Sequence, residues 1–241
     1  MISQHPFLTT DETDAIVRTL SKHPELEVDR KPETPHTFGT YGRAAYLDVL
    51  RDEVDPEREY YAKLADANKG LREQFGWVYE RLGVFMTRLL DGEVRYDETA
   101  LALPGFHVFR GPAIALADQA GAHFDMQYRS LRLPVSPDTE ANPVTFTVPV
   151  RMPCTGTGLI VYNIDPDGYT RAARRGRVRN IDEYARRKVA AYHAYEHGRL
   201  VLHHGLFLHR LSSPGPIAED DERITFQGHG IRCDGTWILY W

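Results

Sequence analysis

Residues 198–230 read GRLVLHHGLFLHRLSSPGPIAEDDERITFQGHG, and the expected architecture follows from this stretch. It contains three short apolar runs of β type, RLVLHH, LFLHRLS and RITFQGHG, with Gly and Pro turns between them. Five similar runs lie between residue 100 and the end of the chain: GFHVFRG, AHFDMQY, VTFTVPVRM, GLIVYNI and TWILYW. Short strands at such regular spacing predict an antiparallel barrel or sandwich.

Helical patterns fill the first hundred residues. Ile16, Val17 and Leu20 recur at helical spacing, and a longer helical region extends from Pro56 to Gly92. Its apolar stripe consists of Leu71, Phe75, Val78, Leu82, Phe85 and Leu89. Helices followed by strands predict an α+β fold with the helices on one face of a sheet. We expect a single domain over 1–241, with a mainly helical support at 1–100 and a β-core at 101–241.

One segment, residues 167–197, interrupts the β pattern. Asn180 followed by Glu183 fits a helix cap and its partner, which predicts a helix from about Ile181 to His197. Long insertions in compact β scaffolds are often covers over a substrate, and the sequence leaves open whether this one is such a cover or a purely structural flap. The tyrosines on its apolar side are Tyr184, Tyr192 and Tyr195. Tyr184 and Tyr192 are candidate substrate contacts.

Composition excludes several classes of function. The formal net charge is −5 and the pI is about 6.1, which is not the profile of an electrostatic nucleic-acid binder. No apolar stretch is long enough for a membrane span, and the N-terminus lacks the pattern of a secretory signal. We therefore expect a cytoplasmic protein with reduced Cys154 and Cys233 and a small-molecule partner. The oligomeric state is left open.

Candidate metal ligands occur in two places. The stretch AGAHFDMQY at 120–128 places His123 and Asp125 two residues apart, so that in a strand both would point to the same face. His203, His204 and His209 follow within seven residues of one another. Two histidines and one carboxylate, with coordination positions left open, are the ligand set of non-haem Fe(II) oxygenases.

The pattern resembles the Fe(II)/2-oxoglutarate-dependent dioxygenase superfamily. In that family His-x-Asp/Glu is followed, after a long gap, by a distal His and then by Arg-x-Ser/Thr some ten to fifteen residues on. The matching residues are His123, Asp125, His209, Arg223 and Thr225. The resemblance implies a double-stranded β-helix core of jelly-roll type, with N-terminal helices and a helical insertion.

The same resemblance implies Fe(II), 2-oxoglutarate and O₂ as cofactor and cosubstrates. It assigns His123, Asp125 and His209 to the iron, and Arg223 with Thr225 to 2-oxoglutarate, since a guanidinium binds a carboxylate through two parallel hydrogen bonds. His209 is preferred to His204 because it gives the usual spacing to arginine. The separation of 86 residues between the two histidine ligands is long, and the insertion accounts for it.

The layout is more loosely similar to that of bacterial hydroxylases and halogenases acting on free amino acids or small natural products. Halogenating relatives replace the carboxylate ligand by Gly or Ala, whereas this chain keeps Asp125. We therefore expect hydroxylation of an unactivated C–H bond, while desaturation, cyclisation and epimerisation stay open. His107, Phe109 and Tyr128 flank the predicted site and are candidate substrate contacts.

Two alternatives remain at this point. The first is a zinc-dependent hydrolase that uses the same three ligands and a bound water. It leaves Arg223 without a role. The second is a non-enzymatic β-barrel that binds a small molecule and in which the histidines are structural. It predicts neither iron affinity nor turnover of 2-oxoglutarate.

Overall fold

A computed structural model of the chain describes residues 2–138, 143–212 and 215–241, except for the side chains of 116–120. The helices are α1 (Thr10–Lys22), α2 (Ala45–Asp48), α3 (Pro56–Glu59), α4 (Leu64–Leu89), α5 (Pro166–Arg174) and α6 (Ile181–Arg186). The strands are β1 (Ile2–Pro6), β2 (Glu27–Asp29), β3 (Phe38–Tyr41), β4 (Val94–Tyr96), β5 (Gly105–Arg110), β6 (Val144–Arg151), β7 (Gly158–Tyr162), β8 (Ala190–Ala194), β9 (Arg199–His204), β10 (His209–Leu211), β11 (Glu222–Cys233) and β12 (Thr236–Tyr240). None of the helices in these ranges combines the length and apolar character that a membrane crossing requires.

The strands form two sheets. The large sheet joins β1, β9, β6, β11, β5, β3 and β2 in that order, and β12 and β4 extend it from β11. Neighbouring strands in the series from β1 to β2 pair antiparallel. Strands β12 and β4 pair in parallel. The small sheet joins β10, β7 and β8, also antiparallel. The expected mixture of helices with a large antiparallel sheet is confirmed.

Helices α1 and α4 cover the outer face of the large sheet. Thr9 and Glu12 form a capping box that starts α1, and the buried side of α1 contacts β6. The apolar stripe of α4 packs into the same core as Phe146 of β6 and Phe226 of β11. Because side chains alternate along a strand, the residues between these point the other way, into the space between the two sheets. That inner face is polar, and it carries the candidate site.

The first hundred residues also supply strands β1 to β4, which the helical patterns did not reveal. Two of them, β3 and β2, extend the large sheet beyond β5. These strands are short, and β2 and β4 have three residues each. Runs of that length carry too little alternation to be recognised in a sequence.

The predicted strand AHFDMQY is wrong. His123 forms an isolated bridge with His209, and residues 124–126 are irregular. Gly121, with φ of +69°, precedes the bridge, and a 3-10 turn at Gln127–Arg129 follows it, so pairing cannot propagate. Backbone bonds nevertheless fix the segment: the His123 and His209 amides exchange bonds of 2.9 and 3.0 Å, and the Asp125 amide donates to Gly205 at 2.8 Å.

The predicted helix from Ile181 to His197 is correct only over its first six residues. Asn180 caps α6 through a bond of 2.8 Å from the Glu183 amide, as expected, but the helix ends at Arg186. The next residues form β8, which pairs with β7 over five residues. The alanines and the tyrosine of Ala190–Ala194 can adopt either a helix or a strand. This segment forms a strand because it pairs with the open edge of β7.

Candidate active site

Three predicted ligands come together between the sheets. His123 lies on the irregular segment, Asp125 lies two residues later, and His209 starts β10. One ligand atom from each lies within 4.8 Å of the other two. Asp125 Oδ2 lies 3.3 Å from His209 Nε2, and Asp125 Oδ1 lies 3.8 Å from His123 Nε2. Among the described residues, His203 and His204 are not part of this group.

Backbone carbonyls fix which nitrogen each imidazole presents. His209 Nδ1 donates to the Phe207 carbonyl at 2.8 Å, and His123 Nδ1 donates to the Gly121 carbonyl at 3.2 Å. With Nδ1 carrying the hydrogen, Nε2 of each neutral ring keeps its lone pair directed towards Asp125. This is the arrangement in which histidine binds metals, with the second nitrogen held by a hydrogen bond.

The electrostatics of the group favour a cation. Burial alone would raise the pKa of Asp125, but the neighbouring His209 holds it well below its usual range, so the carboxylate is ionised. Burial opposes protonation of His209, yet Asp125 raises the pKa of His209 above its usual value. A metal ion bound between these two groups would compete with protons for them.

The donor set and its dimensions fit a divalent transition metal. Ligands at about 2.1 Å from one ion lie about 3 Å apart when they are adjacent, close to the distances observed here. The side chain of His123 is 44% exposed, whereas Asp125 and His209 are buried. Solvent thus reaches the group from the side of His123.

Arg223 is buried on the inner face of β11. It is 2% exposed, and its Nε and Nη1 have no hydrogen-bond partner among the described residues. Burial lowers the pKa of Arg223, and the Tyr195 and Tyr46 hydroxyls offset part of that effect. A guanidinium remains charged even so, and a buried charge without a counterion calls for an anionic ligand. Thr225 lies two residues on, on the same face of β11.

The predicted substrate contacts are divided by the structure. His107 lies opposite Thr225 and Phe109 lies opposite Arg223 in the β5–β11 pairing, so both face the inter-sheet space. Burial, reinforced by Arg223, lowers the pKa of His107 to about 3, which keeps the ring neutral at pH 7. Tyr128 packs against the cluster around Ile238 and Tyr240.

Helix α6 of the insertion packs on the outer face of the small sheet. Tyr184 packs with Ile160 and Tyr162 on the outer face of β7, and Tyr192 pairs opposite Ile160 and is 59% exposed. His209 pairs opposite Val161 and so points to the inner face. The apolar side of α6 thus covers the back of the sheet, the nearest large apolar surface.

Tyr195, from the same segment, is buried on the inner side with Leu159 and Val201.

Sequence reasoning did not single out three polar residues around the candidate ligands, namely Thr145, Gln127 and His229. Thr145 Oγ1 lies 2.6 Å from Asp125 Oδ2 and 3.0 Å from His229 Nδ1. Gln127 Nε2 donates to Asp125 Oδ1 at 3.2 Å. His203, one of the histidines named in the sequence analysis, meets the His209 ring edge-on with 4.5 Å between centroids. Period-two alternation signals some of them, because the Thr residues of VTFTV and the Gln-x-His after Arg-x-Thr fall on the inner face.

Solved structures with a similar fold are known, although the comparisons by sequence find no match. No protein-family model matches the chain, and no curated protein matches it. The fold is similar to that of an N-substituted L-amino acid dioxygenase from Burkholderia ambifaria AMMD in complex with α-ketoglutarate, another name for 2-oxoglutarate. The TM-score is 0.57 and the sequence identity is 12%. The match covers 100% of this chain and 86% of the dioxygenase chain. A second structure of such a dioxygenase from the same organism gives a TM-score of 0.50 at 16% identity, over 77% and 70% of the chains. In fold, the chain is similar to a dioxygenase, as the resemblance in sequence predicted.

Proposed function

We propose that the chain is a non-haem Fe(II)- and 2-oxoglutarate-dependent oxygenase that hydroxylates an unactivated C–H bond of a small molecule. The observation that carries the proposal is the convergence of His123, Asp125 and His209 in a protein whose inner sheet face also holds a buried arginine, Arg223, with two nitrogens unpaired among the described residues. A free amino acid or a related natural product is the favoured substrate class. The relative of similar fold is a dioxygenase of N-substituted amino acids, which supports that class.

The residues have separate roles in this proposal. His123, Asp125 and His209 hold Fe(II) on one side. Bound iron, with 2-oxoglutarate and O₂, supplies the oxidising power for C–H hydroxylation, with succinate and CO₂ as coproducts. Arg223 binds the far carboxylate of 2-oxoglutarate through two parallel hydrogen bonds, and Thr225 is the adjacent hydroxyl donor.

The two sheets support the assignment of the fold at the finer level. We interpret β9, β6, β11 and β5 as one half of a double-stranded β-helix, and β8, β7 and β10, with the His123 bridge, as the other half. The site then lies between the halves, where buried side chains exclude bulk water from the anion-binding end. A cytoplasmic location and the absence of a nucleic-acid or membrane partner stay predictions.

Metal binding by paired histidine variants tests the ligand assignment. Mn(II) should bind wild type at one ion per chain in calorimetric titration, and His209→Ala should abolish binding because it removes one of three ligands. His204→Ala is the matched control and should bind as wild type does. If His204→Ala loses the metal while His209→Ala retains it, the assignment is wrong.

Turnover tests the reaction class. The Fe(II)-loaded protein should convert 2-oxoglutarate into succinate, and a panel of free and N-substituted amino acids should stimulate that conversion. A zinc-loaded protein that cleaves esters or amides, with no binding of 2-oxoglutarate, would instead indicate the hydrolase.

A further inference from the structure

The Asp125 carboxylate has protein hydrogen-bond donors on both oxygens. The Thr145 hydroxyl donates to Oδ2 at 2.6 Å, and the Gln127 amide donates to Oδ1 at 3.2 Å. Thr145 and Gln127 are 7% and 5% exposed, so water does not compete for these contacts. A hydrogen bond to an ionised acceptor is shorter and stronger than one between neutral groups, and the Thr145 contact has the expected length.

Hydrogen counting fixes the direction of the next contact. A threonine hydroxyl carries one hydrogen, and an ionised carboxylate can only accept. Because the Thr145 hydrogen goes to Asp125, His229 Nδ1 must donate to Thr145 Oγ1 across their separation of 3.0 Å. His229 is 5% exposed and packs against the ring of Tyr240, which holds the imidazole in place.

The three residues differ in the rigidity of their backbones. Asp125 lies on an irregular segment, whereas Thr145 and His229 lie on β6 and β11 in the middle of the large sheet. The β6–β11 pairing runs to Gly228 opposite Phe146, and the next residues along both strands are His229 and Thr145. Their side chains therefore lie side by side on the inner face. Residues on sheet strands position a site more accurately than residues on loops do.

We propose that Thr145 and His229 are positioning residues for the metal site: His229 orients the Thr145 hydroxyl, and that hydroxyl fixes the rotation of the Asp125 carboxylate between the two imidazoles. The inference rests on the proposed function, since it assumes that Asp125 binds a metal. The two residues act in series, so His229 influences the carboxylate only through Thr145.

Mn(II) alone is the probe, in calorimetric titrations without 2-oxoglutarate. Thr145→Val keeps the shape and removes the donor, and it should weaken Mn(II) binding about 10- to 100-fold, the usual effect of losing a residue that orients a ligand. Thr145→Ser restores a hydroxyl and should bind Mn(II) close to wild type. Thr147→Val is the matched control, because Thr147 lies on the same face of β6 and makes no contact with Asp125. It should leave Mn(II) affinity unchanged.

The series arrangement is tested by a double-mutant cycle. His229→Leu should weaken Mn(II) binding less than Thr145→Val does, and His229→Asn should restore most of the affinity, since its amide nitrogen can take the place of Nδ1. The double variant Thr145→Val/His229→Leu should be no worse than Thr145→Val alone. Losses that multiply in the double variant would overturn the series arrangement.

Two readouts separate positioning from a general structural effect. The visible absorption bands of Co(II) bound to His229→Leu should differ from those of the wild type, because they report ligand geometry. Melting temperatures of the metal-free single variants should stay close to wild type. Equal Mn(II) affinity in wild type, Thr145→Val and His229→Leu would refute the inference while leaving the proposed function intact. A wild-type protein that binds no Mn(II) would refute both.

Discussion

Arg223 is the residue whose surroundings are hardest to reconcile with stability alone. Its guanidinium is buried, contacts the Phe109 ring at 5.6 Å and has two nitrogens without partners among the described residues. A charge kept in this state destabilises the folded chain by several kcal/mol unless an anion binds it. The residue therefore makes sense as half of an ion pair whose other half is a ligand.

Arg223→Lys should retain Mn(II) binding and lose affinity for 2-oxoglutarate. A lysine supplies a point charge and cannot reproduce two parallel hydrogen bonds. The loss of a charged hydrogen bond, about 1.5–3 kcal/mol, corresponds to roughly ten- to hundredfold in the dissociation constant. Calorimetric titration of the Mn(II)-loaded protein measures it. Arg232→Lys, at an exposed position of the same strand, is the control. Unchanged affinity in Arg223→Lys would remove this residue from the cosubstrate site.

In helix α1, Glu12 both caps the helix and forms an ion pair with Arg81 of α4. Glu12 accepts a hydrogen bond of 2.9 Å from the Thr9 amide and another of 2.6 Å from Arg81 on α4. The bond from Arg81, followed by that from Thr9, lowers the pKa of Glu12 from 4.5 to about 2. A carboxylate with a depressed pKa stabilises the folded state above its unfolded pKa, and this contribution disappears as the pH falls through the folded value.

Glu12→Gln should therefore cost stability in a pH-dependent manner. At pH 7 we expect a loss of about 1 kcal/mol in the free energy of unfolding, since the cap and the ion pair lie near the surface. The difference from wild type should shrink below about pH 4.5 and vanish near pH 2. Urea unfolding at several pH values measures it, with Glu80→Gln on α4 as control. A difference that stays constant from pH 7 to pH 3 would contradict the mechanism.

Elements with strong alternation or strong periodicity could be predicted from the sequence. The stripe of α4 and the runs of β6 and β11 behave as expected because core packing enforces their pattern. The segment after Arg186 could not be predicted, since its conformation depends on the distant edge of β7. The same limit applies to Tyr195. Its sequence neighbours suggest a helix face, whereas the β7–β8 pairing carries it to the inner side.

At the level of the site, spacing predicted that His123, Asp125 and His209 belong together, and the structure brings them together, but it did not predict the residues around them. His123, Asp125 and His209 carry a recognisable pattern because the chemistry requires those residue types. Thr145 and Gln127 do not, because many polar residues could occupy their positions and only the folded chain shows that they meet Asp125.

Ligand binding at the candidate site would stabilise the whole molecule, because the site uses residues from both sheets. The candidate ligands come from a loop and β10, and Arg223 comes from β11, so binding joins segments that are distant in sequence. Anything that binds only the folded state stabilises it by mass action, by about 2.7 kcal/mol at a hundredfold excess over the dissociation constant.

The melting temperature should therefore rise when Mn(II) binds and rise again when 2-oxoglutarate binds to the metal-loaded protein. Saturating Mn(II) should raise the melting temperature by roughly 5–11 °C for a chain of this size, and 2-oxoglutarate should add a second increment only when metal is present. Differential scanning fluorimetry measures this. Arg223→Lys should keep the first increment and lose most of the second. An equal shift by 2-oxoglutarate in metal-free and metal-loaded protein would indicate a different binding site.

Strand β11 places Arg223, Thr225, Gln227 and His229 on one face, with Ile224 and Phe226 turned to the helices. For protein engineering, this makes β11 the part of the chain least open to insertion or deletion. One added residue would rotate every later inner side chain onto the helix side and lose packing and chemistry together. Variation in substrate range is better sought in the loops at the His123 side, where length can change without altering that register. Natural sequence change is subject to the same difference between the register of β11 and the length of the loops. Such change is compatible with 12% identity to a protein of similar fold.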